Sequence, residues 1–305
     1  MAGLGALPAA AQGDPVGGNG STYYLNDEFS GSANTMFEYG SITDQVYFGD
    51  WDGDGSDTAM VQRGNQFFVR NSNSSGAADY SLSYGDPGDV VLVGDWDGDG
   101  VDTLTVRRGF TFYVKNSMES GVADTVINYG NPGDTVLVGD WNGDAIDTFT
   151  VRRDTTFYVK DSITSGVADY TFMYGNPGDS VLVGDWDGNL TDTLAVRRGI
   201  TYFLRNSTTS GVADVEFGYG NPDDFAFTGD WNADSRDTIG VRRPPVYAPP
   251  APTRPTGPAP AADVDCGDFS THAQAQAWFA YYYPQYGDIA GLDADDDMTA
   301  CEGLR

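Results

Sequence analysis

The stretch Val91-Leu92-Val93-Gly94-Asp95-Trp96-Asp97-Gly98-Asp99-Gly100-Val101-Asp102-Thr103-Leu104-Thr105-Val106-Arg107-Arg108 decides the fold. Two short runs rich in Val, Leu and Thr flank a loop of Asp and Gly. Runs of β-favouring residues bounded by turn residues read as the two strands of a hairpin. The stretch also recurs. Gly-Asp-Trp stands at 49–51, 94–96, 139–141, 184–186 and 229–231, 45 residues apart each time. Tyr-Gly keeps step from Tyr39, Tyr84, Tyr129, Tyr174 and Tyr219, and so do Arg63, Arg108, Arg153, Arg198 and Arg243. A repeat of roughly 40–50 residues built from short strands is the signature of propeller blades.

Each unit reads as four strands: VLVGDW (91–96), DTLTVRR (102–108), TFYVKN (111–116) and ADTVINYG (123–130), followed by the turn NPGD (131–134). No helical periodicity occurs before residue 270. The chain enters the cycle at a third strand, with 21–26 matching 66–71, and leaves after a second strand at Arg243. The two half-blades would complete each other and remove exposed edges. The expected fold is therefore all-β: a five-bladed β-propeller over 19–243, made of 45-residue four-stranded blades closed by the N- and C-terminal strand pairs.

Composition shifts mark the rest. Residues 1–18 are small and apolar, with Ala9-Ala10-Ala11 resembling a cleavage site, and read as a signal remnant or a disordered leader. Residues 244–262 hold eight of the 15 prolines and form a semi-rigid linker. Residues 263–305 form a small module. In it Ser270 or Thr271 would cap a helix through AQAQAWFAYYY (273–283) that Pro284 stops. So small a module needs a staple, and Cys266 with Cys301 suggests one disulfide and an oxidising compartment.

The chain of 305 residues carries 45 acidic and 16 basic side chains, a formal net charge of −29. Without a basic excess it is not a nucleic-acid binder. No apolar run approaches ~20 residues, which excludes a helical membrane span. Forty of the acidic residues are Asp, whose short carboxylate suits turns and tight cation-binding loops.

The loops between first and second strands carry that chemistry. Asp50-Trp51-Asp52-Gly53-Asp54-Gly55-Ser56-Asp57 and its copy Asp95, Asp97, Asp99, Gly100, Asp102 place oxygens at positions 1, 3 and 5, Gly at 6 and Asp at 8. Carboxylates packed this closely repel unless an ion neutralises them. Ca²⁺ accepts six to eight oxygens in flexible geometry, whereas Mg²⁺ demands a stricter octahedron. The other copies are Asp140, Asn142, Asp144, Asp147; Asp185, Asp187, Asn189, Asp192; and Asp230, Asn232, Asp234, Asp237. Each lacks one carboxylate among positions 1, 3 and 5, and each lacks the Gly at 6, so weaker ion binding is expected there. The competing reading is Asp/Asn/Gly turns without metal.

These repeats resemble the FG-GAP or VCBS-type repeats of integrin-α-like propellers, and Phe48-Gly49 keeps the name-giving dipeptide. The resemblance covers about 21–243 and implies calcium in the loop joining the first two strands of each blade. That family places its last carboxylate at position 9, where this chain has Thr58, Thr103, Thr148, Thr193 and Thr238. Asp57, Asp102, Asp147, Asp192 and Asp237, at position 8, therefore either ligate or brace the loop. The C-terminal module resembles the excalibur domain, a small extracellular calcium-binding module. The matching residues are Asp265-Cys266, Phe269 and Leu292-Asp293-Ala294-Asp295-Asp296-Asp297-Met298-Thr299-Ala300-Cys301-Glu302. This implies Asp293, Asp295, Asp297 and Glu302 as ligands, with Met298 in place of the usual Gly.

Trp51, Trp96, Trp141, Trp186 and Trp231 would pack between blades or offer sugar-stacking platforms. The arginines ending second strands would brace each blade against nearby loop Asp or, as a ring, grip an anion. The only histidine is His272, outside the propeller and placed on the solvent side of its helix, so Ser–His and Cys–His catalysis are excluded within the propeller. The expected function is a monomeric, secreted or bacterial cell-surface, Ca²⁺-binding module that engages a protein or glycan at the envelope. The alternative is a glycan-cleaving hydrolase or lyase on a propeller scaffold, with Glu28, Glu38, Glu119 and Glu216 as first candidates.

Overall fold

The computed structural model describes residues 15–245, 264–288, 290–293, 299–301 and 303–304. The chain divides into two compact units, Met1–Pro245 and Val246–Arg305. Residues 1–14 of the expected leader and 246–262 of the expected linker lie outside the described residues.

The first unit opens with β1 (Thr22–Leu25) and β2 (Thr35–Glu38). Four complete hairpin sets follow: β3 (Gln45–Gly49), β4 (Thr58–Arg63), β5 (Gln66–Val69), β6 (Tyr80–Ser83); β7 (Val90–Gly94), β8 (Thr103–Arg108), β9 (Thr111–Val114), β10 (Thr125–Asn128); β11 (Thr135–Gly139), β12 (Thr148–Arg153), β13 (Thr156–Val159), β14 (Tyr170–Met173); and β15 (Ser180–Gly184), β16 (Thr193–Arg198), β17 (Thr201–Leu204), β18 (Val215–Gly218). The last pair is β19 (Phe225–Gly229) and β20 (Thr238–Arg243). Each set is one four-stranded antiparallel sheet, and the two end pairs form the fifth in the order β19-β20-β1-β2. The five sheets stand as blades in a ring.

Burial explains which strand sits where. The first strand of each blade is sealed along nearly its whole length, as in β7 and β11, and reads as a continuous apolar run because both faces are covered. These strands line the axis, and each touches the next, from β3 through β7, β11, β15 and β19 back to β3. The fourth strands fully bury at most one residue each and form the rim. Close approach at the axis needs glycine: a Cβ on Gly94 would lie 2.7 Å from Asp147 Oδ2.

At the seam, Thr22 pairs with Arg243, whereas in the first complete blade Gln66 pairs with Arg63. Thr22, not Ser21, is thus the equivalent of Gln66. The 21–26 match to 66–71 is displaced by one residue, because the hairpin between β1 and β2 is one residue shorter than its copies. The start also differs from expectation. The Val16 N–H donates to the Val46 carbonyl at 2.7 Å, so propeller contacts begin within the segment read as leader.

The cores lie between blades. Leu137 and Trp141 share one cluster with Phe157 and with Val181 and Val183 of the next blade. All five loop tryptophans are buried, so they are packing residues and offer no sugar platform. Hydrogen bonds tie each blade to the next. The hydroxyls of Tyr39, Tyr84, Tyr129 and Tyr174 donate to the carbonyls of Phe68, Tyr113, Tyr158 and Phe203, and Tyr219 closes the ring by donating to Tyr24 at 3.1 Å.

The second unit contains α1 (His272–Tyr286), capped by Thr271, whose Oγ1 accepts from the Gln274 N–H. The helix runs through Pro284 and ends at Gly287, so the expected stop at 284 is displaced. Pro284 lacks the N–H that would bond back one turn, but it stands in the last turn, so the helix ends soon after it. His272 is half-buried rather than turned fully to solvent. The Cys266–Cys301 disulfide joins the helix side to the C-terminal segment, with Cα atoms 5.5 Å apart, around Ala275, Phe279 and Leu292.

Candidate functional site

The Asp-rich loops are organised by their first carboxylate. Asp50 Oδ1 accepts the N–H groups of Asp52, Gly53 and Asp54 at 3.3, 2.8 and 3.2 Å, and Oδ2 accepts that of Gly55 at 2.7 Å. Asp54 Oδ1 in turn accepts from Ser56. This wraps the loop so that carboxylate oxygens of Asp50, Asp52 and Asp54 lie within 4.8 Å of one another, as do those of Asp95, Asp97 and Asp99. These are the two groups of three metal-ligating side chains found among the described residues. Burial, then the charges of Asp54 and Asp50, push the Asp52 carboxyl above its ordinary range; Asp97 responds in the same way to burial, Asp99 and Asp95. Such groups could hold a metal ion.

The third and fourth loops keep the same wrap, and the fifth keeps it through residues 232, 234 and 235. Asp140 Oδ2 accepts from Ala145, Asp185 Oδ2 from Leu190 and Asp230 Oδ2 from Ser235, at 2.6–2.7 Å. Ala145, Leu190 and Ser235 take the left-handed φ of 67°, 65° and 63° that Gly55 and Gly100 adopt at 88° and 84°. Loss of the glycine therefore leaves the loop shape intact.

Asp57, Asp102, Asp147, Asp192 and Asp237 point elsewhere. Asp102 Oδ2 accepts from the Asp50 N–H at 2.9 Å, and the Asp102 N–H donates to the Asp50 carbonyl at 2.7 Å. The same exchange links Asp147 to Asp95, Asp192 to Asp140, Asp237 to Asp185 and, across the seam, Asp57 to Asp230. Position 8 thus braces the loop of the preceding blade. Burial, with neighbouring carboxylates adding, pushes all five carboxyls well above their ordinary range. Four of them, Asp57, Asp147, Asp192 and Asp237, line a cavity of about 270 Å³ together with the position-1 aspartates Asp95, Asp140, Asp185 and Asp230.

The arginines that end the second strands do pair with a nearby loop Asp, as expected, but not with one in the Asp-rich loops. Their partner is the Asp of the NPGD-type turn. Arg153 holds Asp134 through Nε and Nη2 at 3.0 and 2.6 Å, while Arg107 of the preceding blade donates to the Asp134 carbonyl at 2.7 Å. Asp44, Asp179 and Asp224 are gripped in the same way from two blades. Both kinds of Asp recur with the repeat, so spacing alone could not choose between them.

Surface grooves repeat as well. One of about 470 Å³ is lined by Tyr129, Asn131, Arg153, Tyr158 and Val167; its copy one blade on, of about 280 Å³, is lined by Tyr174, Asn176, Arg198, Phe203 and Val212. Glu28, Glu38, Glu119 and Glu216 are exposed, and none lines these cavities. In the second unit Asp293 is buried, while Asp295, Asp297 and Glu302 lie outside the described residues.

No protein-family model matches the chain, and no curated protein matches it. Two solved structures are similar: crystal structures of BBS1N in complex with ARL6DN, one soaked with mercury and one with lead. They are 11% and 12% identical, cover 70% and 71% of this chain and 82% and 83% of theirs, and superpose with TM-scores of 0.34 and 0.35. A likeness this distant adds nothing to the architecture read from the strands.

Proposed function

We propose that this chain is a secreted or cell-surface, calcium-stabilised propeller that binds a protein or glycan at the bacterial envelope. One observation carries the reading: in all five in-register loops the N–H of the sixth residue closes onto the first carboxylate, and in two of them three carboxylates converge. Uncompensated, those charges repel; an oxygen-loving ion of flexible geometry relieves them. The repeat supports a binding module, since equivalent grooves at two successive blade boundaries suit a ligand that itself repeats and gains from avidity. Residues 244–262 act as a spacer, and the disulfide-stapled second unit adds an excalibur-type calcium site through Asp293, Asp295, Asp297 and Glu302.

Thermal melting tests the ion. Millimolar Ca²⁺ raises the midpoint by several degrees over EDTA, since a ligand held only by the folded state stabilises it by RT ln(1 + [L]/Kd) per site. An unchanged midpoint sinks the calcium claim. Binding of the full chain to cell-wall preparations and a glycan array tests the partner class.

A further inference from the structure

The loops that look decayed have a counterpart across the blade. Asn71, just after β5, donates through Nδ2 to Asp52 Oδ2 at 2.7 Å. Asn116 and Asn206 act on Asp97 and Asp187 from the equivalent positions, each partly offsetting the rise of that carboxyl. In the third loop, position 3 is Asn142 and the facing hairpin residue is Asp161. In the closing blade, position 3 is Asn232, and the register fixed by Thr22 opposite Arg243 makes Asp27 the facing residue. Every one of the five pairs therefore holds one Asp and one Asn, with the two exchanged in exactly the loops that lose the carboxylate at position 3.

A plain Asp–Asn hydrogen bond does not account for the exchanged pairs. Asn142 turns its amide to Asp144 Oδ2 at 3.0 Å, and Asn232 turns its own to Asp234 Oδ2 at 3.2 Å. Asp161 Oδ1 is sealed from solvent and has no hydrogen-bond partner. The Oδ1 atoms of Asn71, Asn116 and Asn206 are equally sealed and unpartnered. Burial, Asp169, Asp144 and Asp140 push the Asp161 carboxyl up against an opposing pull from Lys160, and burial, Asp234 and Asp230 push up that of Asp27. A buried carboxylate oxygen without a donor, in the field of further carboxylates, is costly unless a cation neutralises it.

We propose that Asp27, Asn71, Asn116, Asp161 and Asn206 are cross-hairpin ligands that complete the cation sites, so that the third and closing sites, whose carboxylates do not converge as tightly as those of the first two, gather three carboxylates once an ion draws Asp161 and Asp27 in. This rests on the calcium reading above and deepens it. The added oxygen moves each loop toward the six to eight that Ca²⁺ takes. Only the fourth site, with Asn189 at position 5 and Asn206 on the hairpin, keeps two carboxylates.

Equilibrium dialysis of the full chain against calcium tests the assignment. Asp161→Asn should remove one bound ion or weaken one site at least tenfold, and the swap Asn142→Asp with Asp161→Asn should restore it. Asp27→Asn repeats the test at the seam if the first variant does not fold. In EDTA, Asp161→Asn should melt no lower than the parent, because it removes charge repulsion. Unchanged stoichiometry and affinity in Asp161→Asn, or a swap that fails to restore binding, would overturn the assignment while leaving the calcium reading in place. A parent chain that takes up no calcium overturns both.

Discussion

Ala145 sits in a left-handed conformation that glycine occupies in the first two loops, and Ser235 does the same in the last. An L-residue there carries about 1 kcal/mol of strain relative to glycine. Ala145→Gly and Ser235→Gly should each raise the free energy of unfolding by about that much in urea titrations. Destabilisation would show that the side chain earns its place through packing. The loop pattern Asp-x-Asp-x-Asp was legible in the sequence, and so was its position between first and second strands. That the shape outlives its glycine was not, because it depends on four N–H groups converging on one carboxylate. The Asp at position 8 was equally opaque: its partner is the N–H of a residue 52 positions away in the linear chain, as in Asp50 with Asp102.

Between elements, the recurring tyrosine and the double-gripped turn act as straps. Tyr129→Phe keeps the ring and loses the hydroxyl bond to Tyr158, which should cost about 1 kcal/mol. An unchanged unfolding midpoint would assign the strap to packing alone. The turn straps are acid-sensitive. Hydrogen bonds from Arg108 and Arg153 hold the Asp89 and Asp134 carboxyls below their ordinary range. A carboxylate whose folded pKa is depressed lends stability that is fully present above its unfolded pKa and fades as pH falls through the folded value. Melting temperature should therefore drop below about pH 4, and Asp134→Asn should flatten that drop at small cost near neutrality, since the arginine is partly exposed. The 45-residue period made every blade countable, yet it repeats two kinds of Asp in step with each Arg. The choice between them needed three-dimensional register.

At the scale of the whole molecule, the ring depends on its seam. Arg242 is fully buried and has no carboxylate partner in hydrogen-bond contact. Its guanidinium donates to the carbonyls of Val16, Gly18, Gly20 and Asp44, binding the entering chain to the last strand. Arg242→Ala leaves several buried carbonyls unpaired and should cost about 3 kcal/mol or more, measurable by chemical denaturation. A loss under about 1 kcal/mol would mean that residues 16–20 contribute little to closure. Closure itself was legible from the phase of the repeat, with two strands at each end. The one-residue shift of the first half-blade was not, since a shortened hairpin leaves the Tyr-Gly and Gly-Asp-Trp spacings untouched.

Closure of this kind has a mechanical consequence. Thr22 and Arg243 face each other at one end of the antiparallel β1–β20 pair. Tension applied between residues 22 and 243 enters at that end and peels the strands apart, loading one backbone hydrogen bond at a time. Pulled instead through residues 71 and 206, the ring must shear intact blades against each other. Optical-tweezer traces should show opening at distinctly lower force in the first geometry. If Asp27 shares an ion with Asp230 and Asp234, calcium should stiffen that clasp, making the blade that joins the two ends a force gate set by the concentration of the ion.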